Sequence, residues 1–305
     1  MIYIISNEDG DVVVERRFTQ QIKMYNDRIL TEFLSNKQLE GKSEITINNY
    51  KIHINKLSDY FGKKLSDITT RDLKDYIQYY HIARGVSANT CDNIRRVLSS
   101  FYNWMEEEDY VIKSPARKIH KIKGVKIIKT AFSDEEIVAI KDAATMSSIR
   151  DKALIDFLYS TGVRVSECSS LNISDIDFAN REAIVFGKGQ KERIIYFDSA
   201  TKVHLSQYLE SRNDSNPALF VDVHFPYNRI TKNGIEYIVS NIGVKAHVKN
   251  CHPHRFRRSL ATRLLDRGVP IEQVQKILGH EKIDTTLIYA QVNQTSVKIN
   301  HSKFC

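Results

Sequence analysis

Several features that would place a protein in a particular class are missing from this sequence of 305 residues. No apolar run approaches the roughly 18 residues of a membrane-spanning helix, and residues 1–10 lack the basic and apolar regions of a secretory signal. The four cysteines are scattered and form no CxxC pair, which is typical of reduced thiols. These absences predict a cytoplasmic protein with no membrane partner.

Two local patterns suggest a ligand site but are incomplete. Residues 251–254 (CHPH) resemble half of a metal site, yet no second ligand cluster accompanies them, so no metal is predicted. Residues 187–193 (GKGQKER) lack the GxxxxGK[ST] pattern of a nucleotide-binding loop. They indicate a β-hairpin between strands 183–186 and 194–197, with Lys188 at its tip. Taken alone, a solvated turn lysine is the simpler interpretation of Lys188.

The net charge of +8 is concentrated in one segment. Residues 1–112 hold 15 basic and 17 acidic side chains, and residues 132–305 hold 23 and 20. The remaining 7 basic side chains lie in residues 113–131, which contain no acid. This segment is predicted to be an extended basic linker that can lie along a DNA backbone. A solvated tether is the alternative; the candidate DNA contacts are Lys118, Lys121 and Lys123.

The length favours two domains, and the first is predicted to be helical. Residues 19–112 carry apolar side chains at spacings of three and four, which predicts four amphipathic helices. Nothing in this part indicates catalysis. Arg95 and Arg96 are candidate DNA contacts, although a solvated helix face explains them equally well. Residues 1–18 contain one short β-like run and have no assigned role.

The second predicted domain, residues 132–305, combines helices with the small hairpin described above. It opens with a capping box at residues 133–136 (SDEE). A helix is predicted from about 150 to 160, and residues 163–167 are predicted to open the next one. Three further helices are predicted near its end, over residues 255–267, from Pro270 to the glycine at 279, and from Asp284 onward. The predicted fold class is therefore mainly α with a small β-sheet.

Polar side chains in this last region do not follow the apolar faces of the helices. His254 and Arg257 are three residues apart at a helix start, so their side chains converge. His280 follows a helix end, and Tyr289 lies nine residues later. Arginine binds phosphate oxygens, histidine moves protons, and tyrosine can be a nucleophile, which together suit a phosphodiester. Alone, the set is equally compatible with ordinary surface residues on three helices.

Five motifs in sequence order resemble those of the tyrosine recombinases, the phage-integrase family. They are residues 161–167 (TGVRVSE), residues 187–189 (GKG), His254-x-x-Arg257, residues 278–280 (LGH) and Tyr289. The resemblance covers about residues 19–300. In overall size the chain looks most like the Xer-type recombinases and the short integrases of mobile elements. One departure is Arg258, where Xer-like members often carry histidine.

The resemblance implies a role for each matching residue. Tyr289 attacks a DNA phosphate, forms a 3′-phosphotyrosine and releases a 5′-hydroxyl. Lys188 protonates the leaving 5′-oxygen, and His254 acts as acid and base on the tyrosine oxygen.

The resemblance also implies how the phosphate is held. Arg164 and Arg257 clamp the non-bridging oxygens, and His280 adds a hydrogen bond. Glu167 orients these arginine and histidine side chains without contacting the phosphate itself. No metal ion or ATP is implied, and hence no cofactor, because arginine and histidine supply the positive charge and the phosphotyrosine bond stores the energy.

The family further implies an assembly on double-stranded DNA recombination sites. The SAM-like four-helix domain and the catalytic domain form a C-shaped clamp, and four protomers pair two sites through the tail after Tyr289. Accessory factors are compatible with this scheme, as is a nucleoid-associated location in the cytoplasm. The implied role is integration or excision of a mobile element, or chromosome dimer resolution. A type IB topoisomerase-like nicking-closing enzyme is the alternative.

Overall fold

The computed structural model describes most of the chain and divides it into two compact units. The described residues are 3–6, 12–15, 20–124, 130–187 and 192–290. The units are Met1–Ile127 and Ile128–Cys305. Within these described ranges, no helix combines the length and apolar character needed to cross a membrane.

The first unit contains a short hairpin and four helices. Strands β1 (Tyr3–Ser6) and β2 (Val12–Glu15) pair antiparallel, with Ile4 opposite Val14. The four predicted helices are confirmed as α1 (Gln20–Leu39), α2 (Glu44–Phe61), α3 (Thr70–Ile82) and α4 (Ala88–Glu107).

Local capping signals set the ends of these helices. The side chains of Ser43, Thr69 and Ser87 each accept a hydrogen bond from a backbone N–H in the first turn of their helix. The buried apolar faces of the four helices form one core that includes Phe33, Leu57, Tyr76 and Phe101. The apolar faces of the four helices are therefore used in one shared core.

The basic segment differs from the expected extended conformation over its first half. Pro115–Lys118 forms a 3-10 turn, and the Thr70 hydroxyl donates to the carbonyl of Pro115 at 2.8 Å. Ile119 and Ile122 pack against the helical core, and the backbone N–H of Ile122 donates to Asp92 Oδ1 at 3.1 Å. The apolar side chains between the lysines therefore fasten this half to α3 and α4.

The second unit is mostly helical with one three-stranded antiparallel sheet in the order β3-β4-β5. Its elements are α5 (Asp134–Ser147), α6 (Ile149–Thr161), α7 (Val165–Ser170), β3 (Ile176–Asp177), β4 (Glu182–Phe186), β5 (Glu192–Tyr196), α8 (Ser199–Glu210), α9 (Lys232–Lys245), α10 (Pro253–Asp266), α11 (Ile271–Leu278) and α12 (Asp284–Ala290). The predicted fold class is thereby confirmed. Strand β3 and helices α8 and α9 are additions to the sequence-based prediction.

Helix α6 lies at the centre of this unit. Leu154, Phe157 and Leu158 have no exposed surface. The helix ends at Gly162, whose φ of +57° is the left-handed conformation that glycine adopts without strain. A Cβ at Gly162 would lie 2.8 Å from Leu260 of α10. The end of α6 therefore approaches α10 closely, and the predicted site lies at this junction.

Candidate active site

The predicted site residues come from four separate elements of the second unit. Arg164 precedes α7, His254 and Arg257 lie on α10, His280 follows α11, and Tyr289 is on α12. Lys188 and residues 291–305 lie outside the described residues. The described members, apart from His254, meet around the C-terminal end of α11.

Arg164 is held by one carboxylate and one backbone carbonyl. Its Nη1 donates to Glu167 Oε1 at 2.7 Å, and its Nη2 donates to the carbonyl of Gly279 at 2.7 Å. Its backbone N–H also donates to Glu167 Oε2 at 2.9 Å. These bonds fix the direction of the guanidinium. The side chain is still 37% exposed, so part of it faces solvent.

Arg257 is almost completely enclosed, with 2% of its surface exposed. Its Nη1 donates to the carbonyl of Gly162 at 2.9 Å, and its Nη2 donates to the carbonyl of Leu278. Burial, with the charges of Arg164 and Arg193, lowers the pKa of Arg257 to about 9. The guanidinium is therefore still a cation at neutral pH, held between α6 and α11.

Glu167 connects Arg164 to a third arginine that the sequence analysis missed. Arg193 Nη2 donates to Glu167 Oε2 at 2.7 Å, and its Nη1 donates to the carbonyl of Ile277 at 2.9 Å. Burial alone would raise the pKa of Glu167, but Arg193 and Arg164 together hold that pKa below its usual value. The carboxylate is therefore ionised between two guanidinium groups.

A sequence signal for Arg193 exists, although it is weak. On β5, Arg193 shares the inward side with buried Ile195, while Ile194 and Tyr196 are exposed. An arginine at an inward position of an alternating strand needs an acceptor inside the protein. The strand pattern indicates that need but does not identify Glu167 as the acceptor.

His280 is placed by the turn that ends α11. Gly279 adopts a φ of +64°, and the His280 backbone N–H then donates to the carbonyl of Gln275 at 3.1 Å. The ring Nδ1 lies 2.8 Å from Thr286 Oγ1. Burial, followed by the charges of Arg257 and Arg164, lowers the pKa of His280 to about 4. The imidazole is therefore neutral at physiological pH.

Tyr289 is buried beside this histidine. Its ring packs in a cluster with Leu260, Val274 and Leu278. The ring centroids of His280 and Tyr289 are 6.0 Å apart, with an angle of 31° between the planes. The structure thus brings the predicted nucleophile next to the predicted phosphate ligand.

His254 and Arg258 lie on the same helix as Arg257 but differ in direction. His254 is exposed in the first turn of α10, and its charge contributes to the lowered pKa of His280. Arg258 Nη1 donates to the carbonyl of Thr130 at 3.3 Å, an acceptor different from both partners of Arg257. Arg258 therefore does not duplicate the contacts of Arg257.

The candidate DNA contacts of the first unit fall into two groups. Arg95 and Arg96 donate through Nε to the two oxygens of Asp92, at 2.7 and 3.1 Å. The bond from Arg95 above all, with the backbone N–H of Ile122 and the charges of both arginines, lowers the pKa of Asp92 to about 2. The two arginines therefore share a carboxylate, and Arg95 is the less exposed of them. The lysines at 118, 121 and 123 are exposed.

The incomplete metal pattern gains no ligands from the fold. Cys251 is buried, and burial raises the pKa of its thiol to about 12. Across the described part of the chain, no group of three or more histidine, cysteine, aspartate or glutamate side chains is arranged to hold a metal ion.

Family models match both units of the chain. The model described as the phage integrase family matches residues 130–296, and the model of the phage integrase N-terminal SAM-like domain matches residues 29–112. The chain belongs to the phage integrase family. This membership confirms the predicted enzyme class: a tyrosine recombinase, which cleaves and rejoins DNA at specific sites.

Relatives of this integrase-family chain match nearly its full length. Tyrosine recombinase XerC of Oceanobacillus iheyensis is 30% identical over 93% of this chain and 96% of its own length. Tyrosine recombinase XerD of Staphylococcus epidermidis is 30% identical over 90% of this chain and 98% of its own. The Tn1549 transposon integrase shares the fold, with a TM-score of 0.73 at 18% identity, over 91% of this chain and 99% of that one. These matches favour a recombinase over the topoisomerase-like alternative.

Proposed function

We propose that this site cuts and rejoins DNA through a 3′-phosphotyrosine intermediate on Tyr289. The observation that carries the proposal is the meeting of Arg164, Arg257 and His280 at the end of α11, with the Tyr289 ring beside His280. Two cations and a neutral imidazole suit a phosphodiester, whose negative charge grows as the phenol oxygen attacks. The phenol oxygen forms the new P–O bond while the bond to the 5′-oxygen breaks.

The two arginines proposed as phosphate ligands already donate some of their hydrogen bonds to other protein groups. Each guanidinium has five N–H donors, and within the described residues Arg257 uses two of them, on Gly162 and Leu278. Arg164 likewise keeps donors beyond its bonds to Glu167 and Gly279. These fixed bonds leave the remaining donors oriented in advance, which reduces the reorganisation needed in the transition state.

Two residues are assigned to proton transfer. Lys188 is the proposed acid for the leaving 5′-oxygen, and His254 is the proposed acid and base for the phenol oxygen. The neutral His280 is assigned to hydrogen bonding alone, because its lowered pKa removes it from proton transfer near pH 7. The charge of Arg257 and Arg164, rather than a metal ion, is assigned to the phosphate oxygens.

The proposed DNA-bound state is a C-shaped clamp. Residues 19–112 and 132–305 enclose double-stranded DNA, and residues 113–131 join them across its backbone. Four protomers pair two recombination sites, each lending the tail after Tyr289 to a neighbour, with room for accessory factors. The location that fits this partner is the nucleoid in the cytoplasm. The solved structure of the Tn1549 integrase, which shares the fold, contains circular intermediate DNA.

Two biological roles fit this reaction. Integration or excision of a mobile element resembles the role of the transposon integrase, whereas chromosome dimer resolution fits the similarity to XerC and XerD. Sequencing of the DNA around the gene distinguishes them. Inverted repeats or excision genes nearby would indicate a mobile element.

Covalent capture tests the proposed chemistry. The wild-type chain is incubated with nicked duplexes of random sequence, and protein–DNA complexes that survive detergent are selected and sequenced. We expect a defined site to be enriched as an adduct through its 3′ end. Tyr289→Phe, which keeps the buried ring, should bind this site without forming the adduct. An adduct with Tyr289→Phe, or none with the wild type, would refute the assignment.

A further inference from the structure

We propose that Arg193 is a positioning residue for the reaction. It fixes the direction of Arg164 through Glu167, and it holds the turn that carries His280 through the carbonyl of Ile277. This inference rests on the proposed function of the same site. Within the described residues, the hydrogen bonds of Arg193 go to these two partners rather than to Arg164 or His280 directly.

The first contact places Arg193 behind Arg164. Glu167 has a side chain that is only 2% exposed, and it accepts from Arg164 at one oxygen and from Arg193 at the other. A buried carboxylate needs its partners, because removing one leaves charge in a medium that solvates it poorly. If Arg193 is lost, Glu167 is expected to shift toward solvent or Arg164, and the direction of Arg164 changes with it.

The second contact belongs to a set of three at the C-terminal end of α11. The carbonyls of three consecutive residues each accept from a different arginine: Ile277 from Arg193, Leu278 from Arg257 and Gly279 from Arg164. Terminal carbonyls of a helix lack partners within the helix and form the negative end of its dipole. Three cations from three elements therefore hold the turn that presents His280.

Arg193 is buried more deeply than Arg164, the arginine to which Glu167 connects it. Its side chain is 12% exposed, against 37% for Arg164. It also covers Gly279 so closely that a Cβ there would lie 2.7 Å from Arg193 Nε. This location suits a residue that supports the turn and Glu167 without contacting DNA.

Charge-neutral DNA distinguishes positioning from general stabilisation. A methylphosphonate at the scissile position replaces one non-bridging oxygen with a methyl group and removes the charge that the arginines neutralise. A variant whose defect is a misdirected Arg164 should therefore lose much less activity on methylphosphonate than on phosphate. A variant that merely folds less well should lose activity equally on both substrates.

The experiment uses the full chain and the duplex recovered by covalent capture, with phosphate or methylphosphonate at the cleaved position. Arg193→Gln should slow single-turnover cleavage of phosphate by up to about 100-fold, because small displacements of catalytic groups have effects of this size. On methylphosphonate, Arg193→Gln should cleave at a rate within about 3-fold of the wild-type rate on that substrate. A neutral methylphosphonate gains little from the charge of Arg164, so the direction of Arg164 matters less.

Arg212→Gln is the matched control. Arg212 also lies in the second unit, has a 6% exposed side chain, pairs with Asp214 and donates to the carbonyls of Ala218 and Asn216. Its replacement should lower the unfolding temperature without changing the ratio of the two cleavage rates. Arg193→Lys keeps the charge beside Glu167 and serves where Arg193→Gln folds poorly. It should show the same selective loss, smaller in size.

The outcomes separate this inference from the proposed function. If the wild type forms no adduct on phosphate DNA, the proposed function itself fails. If the wild type cleaves but both Arg193 variants lose activity equally on the two substrates, or match the wild type on both, then Arg193 has no positioning role. A selective loss shared by Arg212→Gln would also overturn it.

Discussion

His280 Nδ1 lies 2.8 Å from the hydroxyl of Thr286, a residue with no exposed surface. The ring is neutral at physiological pH, so only one of its nitrogens carries a hydrogen. A hydroxyl that donates to Nδ1 leaves that hydrogen on Nε2, which can then donate to a phosphate oxygen. We propose that Thr286 is this donor and so favours the form of His280 that suits a phosphate ligand.

The first prediction concerns this hydroxyl. Thr286→Val keeps the shape of the side chain but removes the hydrogen bond, so the ring loses its fixed tautomer. We expect DNA cleavage to slow by about 5- to 10-fold, the equivalent of one hydrogen bond of about 1 kcal/mol. Single-turnover cleavage of the captured duplex measures the effect. Thr285→Val, on the exposed neighbour in the same helix, should leave the rate unchanged; equal rates for both variants would contradict the role of Thr286.

The second prediction concerns acid sensitivity. The pKa of His280 falls from 6.5 to about 4 on folding, through burial first and then the nearby arginines. The unfolded chain therefore binds a proton at a higher pH than the folded chain does. Stability from the neutral ring is present above pH 6.5 and is lost as pH falls toward 4.

Denaturant unfolding at several pH values between 7 and 4 checks this prediction. The free energy of unfolding should decline more steeply for the wild type than for His280→Gln, which has no titrating ring. The comparison uses the slope with pH, so a constant destabilisation by the substitution does not affect it. Parallel slopes for the two proteins would show that His280 titrates near its ordinary pKa.

The third prediction concerns the leaving oxygen. Lys188→Ala should slow cleavage of ordinary DNA by about 100-fold or more, because a general acid contributes at least that much. A 5′-bridging phosphorothiolate should restore cleavage, since its thiolate leaves without a proton. Lys191→Ala is the control on the same hairpin sequence and should need no such rescue. If the phosphorothiolate fails to rescue Lys188→Ala, the lysine binds phosphate instead.

The fourth prediction concerns the basic segment. Ile119 and Ile122 pack inward, while the lysines at 118, 121 and 123 are exposed. Replacing all three lysines with glutamine should lower the slope of log affinity against log salt by up to about 3, at roughly 0.9 for each phosphate neutralised. Affinity for specific and non-specific duplexes should fall together, because phosphate contacts carry no sequence information.

Binding of the wild type and the triple variant from low to high salt measures that slope. Cleavage of DNA that is already bound should be almost unchanged, since these lysines and the catalytic residues lie in different units. An identical slope for the two proteins would show that the segment is a solvated tether and that other surfaces supply the DNA affinity.

Local signals in the sequence were enough to predict much of the fold. Ser87 and Ser133 begin helices through bonds between their own side chains and the next turn, and Gly162 and Gly279 end helices with a positive φ. Each signal acts within about four residues, so it can be read without knowing the tertiary structure.

The missed features depend on contacts between distant parts of the chain. Arg193 is 26 residues from Glu167 and 84 residues from Ile277, and its role appears only when β5 lies against α11. The 3-10 turn at Pro115–Lys118 likewise depends on packing against α3 and α4. A sequence read by period and spacing contains no direct information about such partners.

Arg257 has a consequence for how this gene would decay. It is among the largest fully buried side chains, and replacing it leaves the carbonyls of Gly162 and Leu278 without their donor. The phenol oxygen of Tyr289, in contrast, is one atom on a ring that phenylalanine would also provide. In an inherited copy released from selection for recombination, folding alone would still preserve Arg257. Inactive descendants should therefore be recognisable by an altered tyrosine accompanied by an intact arginine.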